Sequence, residues 1–218
     1  MTRILIADDH ALVRDGLRHI LRKAEGFDIV GEAADHAGVL SIVTQVHADV
    51  LLLDLSMPGG NGLDLIREVR ARRPALRVLV LTMHAERQYA VRAFKAGASG
   101  YLTKESASAE LVNAIQRVAG GNVYLSLAMA ENMAQALSLP RPSGEDSVLQ
   151  DTLSDRELEV YRRIVAGEAL SEIALALSVS PKTVSTYKAR VLDKMQVTND
   201  AALIRYAIKH RLFDEPEA

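Results

Sequence analysis

The 218-residue sequence predicts two folded parts of different class. Residues 1–122 read as an α/β doubly wound, five-stranded parallel sheet, and residues 151–218 as a small all-α helix-turn-helix domain. Three observations carry this reading. Short apolar runs alternate five times with helix-period stretches up to Val118. After about residue 151 the helical period resumes without strands. Between the two, Leu139–Gln150 contains Pro140, Pro142, Ser143 and Gly144, the composition of a flexible linker.

The expected strands are Arg3–Ala7, Asp28–Ala34, Val50–Asp54, Arg77–Thr82 and Gly100–Leu102. The expected helices between and after them are Ala11–Ala24, Ala37–Val46, Leu63–Arg72, Glu86–Ala96 and Ala109–Val118; Leu12, Leu17, Ile20 and Leu21 mark the apolar stripe of the first. Five successive β–α units imply a parallel sheet covered on both faces. Residues 123–150 read as a linker, with a helix at Leu127–Leu137. Four short helices follow at Asp155–Ala166, Ser171–Leu177, Pro181–Met195 and Asn199–Arg211.

Composition narrows the class. With 49% apolar and 25% charged residues, the chain has what a packed core needs. No apolar run approaches the ~18 residues of a membrane span. The N-terminus turns acidic at Asp8 and Asp9 after only Ile4–Ala7, so it lacks a signal-peptide core. The absence of cysteine excludes disulfides and thiolate chemistry and points to a reducing cytoplasm, and the lack of a membrane-length apolar run leaves no membrane partner expected. The net charge of −2 hides an uneven distribution: Pro181–Arg211 holds 7 basic against 2 acidic residues. That is the charge expected of a nucleic-acid contact.

In an open parallel sheet, ligands bind at the carboxyl ends of the strands. Asp8 and Asp9 follow the first expected strand, Asp54 closes the third, Thr82 closes the fourth, and Lys104 lies beyond the fifth. Taken singly, each has a plain structural explanation: a turn at Asp54, a helix cap at Asp8 or Asp9. Together they form a chemical set. Three carboxylates favour a hard cation such as Mg²⁺, which with Lys104 would neutralise a phosphoryl group brought against Asp54. A carboxylate is a competent nucleophile for phosphoryl transfer, and Thr82 could donate to a phosphoryl oxygen.

Ile6-Ala7-Asp8-Asp9-His10, Leu53-Asp54-Leu55-Ser56-Met57-Pro58-Gly59, Leu81-Thr82 and Lys104 resemble the receiver domain of bacterial two-component response regulators, a flavodoxin-like fold, over residues 3–118. The resemblance implies that Asp54 accepts phosphate from a sensor histidine kinase. It implies Mg²⁺ held by Asp9, Asp54 and the backbone carbonyl of Ser56, with Asp8 acting largely through water. It makes Thr82 and Tyr101 a switch pair and Lys104 the family's lysine. A haloacid-type phosphatase would carry a second aspartate where Ser56 stands, and there is no P-loop. A receiver that only dimerises is opposed by the presence of all five pocket residues. The histidines show no paired metal-ligand spacing: His10 and His84 neighbour the pocket, and His19, His36, His47 and His210 read as surface residues.

The second expected site is the helix Pro181–Met195, preceded by the turn Ser178-Val179-Ser180. At 100° per residue, Val184, Val191 and Met195 share one side, with Tyr187 at its edge. Lys182, Thr186 and Ala189 lie opposite, flanked by Ser185 and Arg190. Small and polar residues there suit a major groove, with Lys182, Lys188 and Arg190 reaching phosphates and Ser185 and Thr186 at base edges. Leu153-Ser154-Asp155-Arg156-Glu157, Ile173-Ala174, Val179-Ser180, Lys182-Thr183-Val184 and Lys194-Met195 resemble the LuxR/NarL-type output domain over about residues 151–212. Thr183 and Tyr187 complete the expected DNA-binding set. The sequence departs from it at Ala169-Leu170, where a polar Ser-Asn pair is usual, and at Ser185, where lysine is frequent. Both resemblances together imply a regulator rather than an enzyme. It would be phosphorylated on Asp54, dimerise, and bind double-stranded promoter DNA, with RNA polymerase as a further candidate partner.

Overall fold

Val50–Leu53 and Arg77–Thr82 carry almost no polar residue, so they can be satisfied only where both faces of a sheet are covered. In the computed structural model they are adjacent central strands. It describes residues 1–83, 87–126, 129–130, 149–177, 179–210 and 212. The chain divides into two compact units, Met1–Met133 and Ala134–Ala218.

The first unit is a parallel sheet of β1 (Thr2–Ala7), β2 (Phe27–Ala33), β3 (Val50–Leu53), β4 (Arg77–Thr82), β5 (Gly100–Thr103) and β6 (Tyr124–Leu125). The strand order is β2-β1-β3-β4-β5-β6. The helices are α1 (Ala11–Lys23), α2 (His36–Gln45), α3 (Gly62–Arg72), α4 (Arg87–Ala96) and α5 (Ala107–Ala119). Side chains alternate across the sheet. Ile4, Ile6, Val50, Leu52, Leu79, Leu81 and Leu102 form one face and pack against Leu17 and Leu21 of α1 and Leu111, Ile115 and Val118 of α5. Helices α2, α3 and α4 cover the other face.

The sheet has six strands where the sequence predicts five. The extra strand is two residues long, too short to show a period-two pattern. It exists because β5 offers a free edge, on which Gly100 faces Tyr124 and Tyr101 faces Leu125. The Tyr124 hydroxyl also donates to the Glu110 carboxylate of α5. The strand therefore falls within the stretch read as linker. Of the expected helix Leu127–Leu137, only Met129 and Ala130 are described, and both are helical. Most of Leu139–Gln150 lies outside the described residues; Leu149–Thr152 is a 3-10 turn.

The second unit contains α6 (Asp155–Val165), α7 (Leu170–Ala176), α8 (Pro181–Lys194) and α9 (Asp200–Lys209), as the periodicity predicts to within two residues at each end. Ser154 caps α6: its hydroxyl accepts from Glu157 N–H while the Glu157 carboxylate accepts from Ser154 N–H. Val160, Ile164, Ile173, Ala174, Leu177 and Val184 form the core. Among the described residues, no helix is long and apolar enough to cross a membrane.

Candidate functional site

The register of the central strands assembles the first site. Ala7 of β1 lies opposite Leu53 of β3, and Asp54 N–H donates to Ala7 O at 2.9 Å. Asp8 and Asp54, each one residue past a strand end, therefore emerge side by side. The strand order reverses at this point, which opens a crevice. On the far side, Thr82 pairs with Thr103, and Lys104 N–H donates to Thr82 O at 2.8 Å. This anchors the lysine at the same edge.

The side chains converge as the sequence predicts. Lys104 Nζ lies 2.7 Å from Asp8 Oδ2 and 2.8 Å from Asp54 Oδ2. Asp8 and Asp54 are 1% and 2% exposed. Asp54 Oδ1 accepts from Ser56 N–H at 3.1 Å, and Asp8 Oδ1 from His10 N–H at 2.9 Å. His10, not an aspartate, is the N-cap residue of α1, and Asp8 holds that cap through the backbone. His10 Nδ1 is 2.9 Å from Asp9 Oδ1.

Burial pushes the Asp54 carboxyl above its ordinary range, and the Lys104 bond and charge only partly oppose this. For Lys104, burial works against the charge, but its bonds to Asp54 and Asp8 prevail and raise its pKa, so it remains an ammonium. Donor atoms of Asp8, Asp9, His10 and Asp54 lie within 4.8 Å of one another and could hold a metal ion. Three carboxylates against one ammonium leave negative charge uncompensated, and an oxygen-rich set suits a hard divalent cation. Thr82 is fully buried at the end of β4. Tyr101, on the neighbouring strand, is 1% exposed, so its ring lies inside.

Two residues near the pocket escaped the sequence reading. Asn61 is buried and caps α3, accepting from Leu63 N–H at 2.8 Å and Asp64 N–H at 3.2 Å. An asparagine just before the helical run was the available signal. His36, read as a surface residue, is instead 8% exposed and packs on the loop that follows Asp54. Nothing in its sequence spacing shows this, because the contact spans two β–α units.

In the second unit, α8 presents the expected faces. Val184, Val191 and Met195 are buried, while Lys182, Ser185, Thr186, Ala189 and Arg190 are exposed and Thr183, Tyr187 and Lys188 intermediate. Ser180 caps the helix, accepting from Thr183 N–H at 3.1 Å, with Pro181 at its first position. The Ser185 and Thr186 hydroxyls donate back to Pro181 O and Lys182 O, each at 3.0 Å. Their oxygens keep free lone pairs and can still accept. Lys188 has a partner the sequence did not announce: its Nζ is 2.6 Å from Asp200 Oδ2. At the departure from the family pattern, Ala169 offers no capping side chain, and Glu172 alone accepts from Ala169 N–H at 2.8 Å.

A doubly wound sheet with an acid–lysine crevice, and a helix-turn-helix unit beside it in sequence, define a phosphorylation-controlled DNA-binding regulator. Residues 4–116 match the response regulator receiver domain family, and residues 151–207 match the bacterial regulatory proteins of the luxR family. The chain belongs to the two-component response regulators that join a receiver to a LuxR-type output domain. It is 36% identical to the response regulator GacA of Pseudomonas aeruginosa over 214 residues, covering 98% of this chain and 99% of GacA. It is 37% identical to the response regulator UvrY of Escherichia coli K12 over 212 residues, covering 97% and 96%. Among solved structures it resembles RcsB of Salmonella enterica serovar Typhimurium bound to the promoter P1flhDC in the presence of the phosphomimetic BeF3-. That match has a TM-score of 0.68 and 30% identity and covers 94% of this chain and 97% of RcsB.

Proposed function

We propose that Asp54 is the phosphoacceptor of a receiver spanning residues 1–122, joined by residues 123–150 to a DNA-binding domain spanning 151–218. The observation that carries this is the Lys104 ammonium between Asp8 and Asp54 at the crevice of the sheet. An Asp54 carboxylate oxygen attacks phosphorus of a kinase phosphohistidine. The new O–P bond forms as the N–P bond breaks, and the imidazole nitrogen keeps the electron pair. Lys104 balances charge on the transferred group, and Thr82 Oγ1 donates to one of its oxygens. Asp9, Asp54 and the Ser56 backbone carbonyl would hold Mg²⁺, with Asp8 acting through water; the oxygen donors and the excess negative charge fit it. When bound, the metal supplies charge neutralisation for the incoming anion.

The phosphorylated protein dimerises and reads paired half-sites of promoter DNA with α8. Lys182 and Arg190 are the freest phosphate contacts, with Lys188 shared with Asp200. Ser185 and Thr186 face base edges as acceptors, flanked by Thr183 and Tyr187. A sensor histidine kinase is the phosphate donor. RNA polymerase is a candidate downstream partner.

The test is intact mass of wild type and Asp54→Asn after incubation with acetyl phosphate and Mg²⁺, followed by footprinting on genomic DNA. Wild type should gain one phosphoryl group and tighter, site-selective protection. Equal uptake by Asp54→Asn would remove Asp54 from the role.

A further inference from the structure

The loop from Ser56 to Asn61 joins the end of β3 to α3 and carries the carbonyl assigned to the metal. Its two ends are fixed. Ser56 N–H donates to Asp54 Oδ1, and Asn61 caps α3. At Gly62 the backbone passes so close to Leu55 that a Cβ would meet Leu55 O at 2.5 Å. The middle of the loop is held from another element. His36, the first residue of α2, donates its backbone N–H to Pro58 O at 3.2 Å. Its Cβ lies 3.3 Å from where a Cβ on Gly59 would stand, and Gly59 has φ +99°. Its ring fills the space over Gly60, where a Cβ would stand 2.3 Å from Nδ1 and 2.7 Å from Cε1. His36 is itself fixed at the helix start, because the preceding Asp35 caps α2 by accepting from Gly38 N–H at 2.7 Å. A buried ring on a capped helix and two glycines beneath it form a matched pair of surfaces.

We propose that His36 is a positioning residue for the phosphorylation pocket: its ring, seated on Gly59 and Gly60, sets the path of the Ser56–Gly60 loop and hence the metal-binding geometry. This rests on the reading that Asp54 takes phosphate with Mg²⁺. Groups that orient metal ligands without touching the metal change metal affinity while leaving the fold in place.

Two kinds of variant test it in the full chain. His36→Ala keeps the backbone bond to Pro58 and removes the ring. Gly60→Ala pushes the loop off an intact ring. Each should weaken Mg²⁺ binding, read by competition with Mn²⁺ in electron paramagnetic resonance, by roughly tenfold. Each should also slow phosphorylation by acetyl phosphate at low Mg²⁺, and saturating Mg²⁺ should restore the rate. Because Mg²⁺ binding also favours the folded state, circular dichroism in chelator at the assay temperature separates the two: a positioning defect leaves each variant folded without metal, and a general loss of folding does not. In the double variant the added methyl meets no ring, so the two effects should not add. Gly60→Ala keeps the test open if His36→Ala fails to fold. Wild-type Mg²⁺ affinity in either single variant, or additive losses in the double, overturns the positioning role. A wild type that binds no Mg²⁺ and takes no phosphate would instead overturn the assignment of the pocket.

Discussion

Lys188, on the helix assigned to the DNA groove, is held 2.6 Å from the Asp200 carboxylate at the start of the next helix. A cation already paired contributes less to phosphate binding, because the new contact must compete with the old one. Asp200→Asn should therefore free Lys188 and tighten binding to random DNA. The slope of log affinity against log salt should steepen by up to roughly 0.9, the value of one phosphate contact. An unchanged slope would mean that Lys188 does not reach phosphate. Thr186→Ala should leave the slope alone and reduce discrimination between target and random sequences, by about 1–3 kcal/mol if a single base contact is lost.

Lys104 is the cation between two buried carboxylates. Lys104→Met should leave Asp8 and Asp54 facing each other unbalanced and destabilise the receiver in the absence of metal, by about 3–5 kcal/mol. Mg²⁺ should recover much of that loss by supplying the missing positive charge, so the variant's melting temperature should depend more steeply on Mg²⁺ than the wild type's. Thermal melts with and without chelator measure this. Equal Mg²⁺ dependence in both proteins would show that Lys104 and the metal do not share the same carboxylates.

Thr82 and Tyr101 are both buried, on adjacent strands. With Tyr101 already inside, phosphorylation has a packed arrangement to stabilise. Thr82→Ala should take up phosphate close to the wild-type extent but gain less dimer and less DNA affinity from it. A shift between two packings needs only a few kcal/mol of differential binding, so loss of one hydroxyl contact is enough to blunt it. Sedimentation and DNA binding of the phosphorylated variant decide the matter. Wild-type gains in both would take Thr82 out of the switch.

Glu157 and Lys194 give the output domain an acid-sensitive tie. Burial works to raise the Glu157 carboxyl. The hydrogen bond from Lys194, 2.6 Å away, and those from Ser154 outweigh it and leave the group below its ordinary 4.5. A carboxyl lowered on folding adds stability above its unfolded pKa, and that stability is lost as pH falls through the folded value. Calorimetry of wild type and Lys194→Met, from neutral pH down through the carboxylate range, should show the difference between them shrinking as Glu157 takes up its proton. A difference independent of pH would assign the effect to lost packing of the lysine stem.

The strands, the helices and the pocket acids were legible because each depends on local pattern. β3 and β4 are nearly all apolar, and α8 announces itself by Ser180-Pro181 and a regular apolar stripe. β6 was illegible because two residues have no period, and its hydrogen bonds come from the free edge of β5. His36 was illegible because its burial depends on Gly59 and Gly60, more than twenty positions away.

By itself, the sequence determined the two-part architecture, the parallel sheet, the gathering of Asp8, Asp9, Asp54, Thr82 and Lys104 at one edge, and the exposed face of α8. All of these follow from side-chain periodicity and from the rule that ligands lie at the carboxyl ends of parallel strands. Tertiary structure alone decided the rest: which acids Lys104 bridges, that Tyr101 lies inside, that Asp200 holds Lys188, and that His36 rests on the loop after Asp54. Each is a contact between elements far apart in the chain, set by register and packing at distances of a few ångströms, which no local pattern encodes.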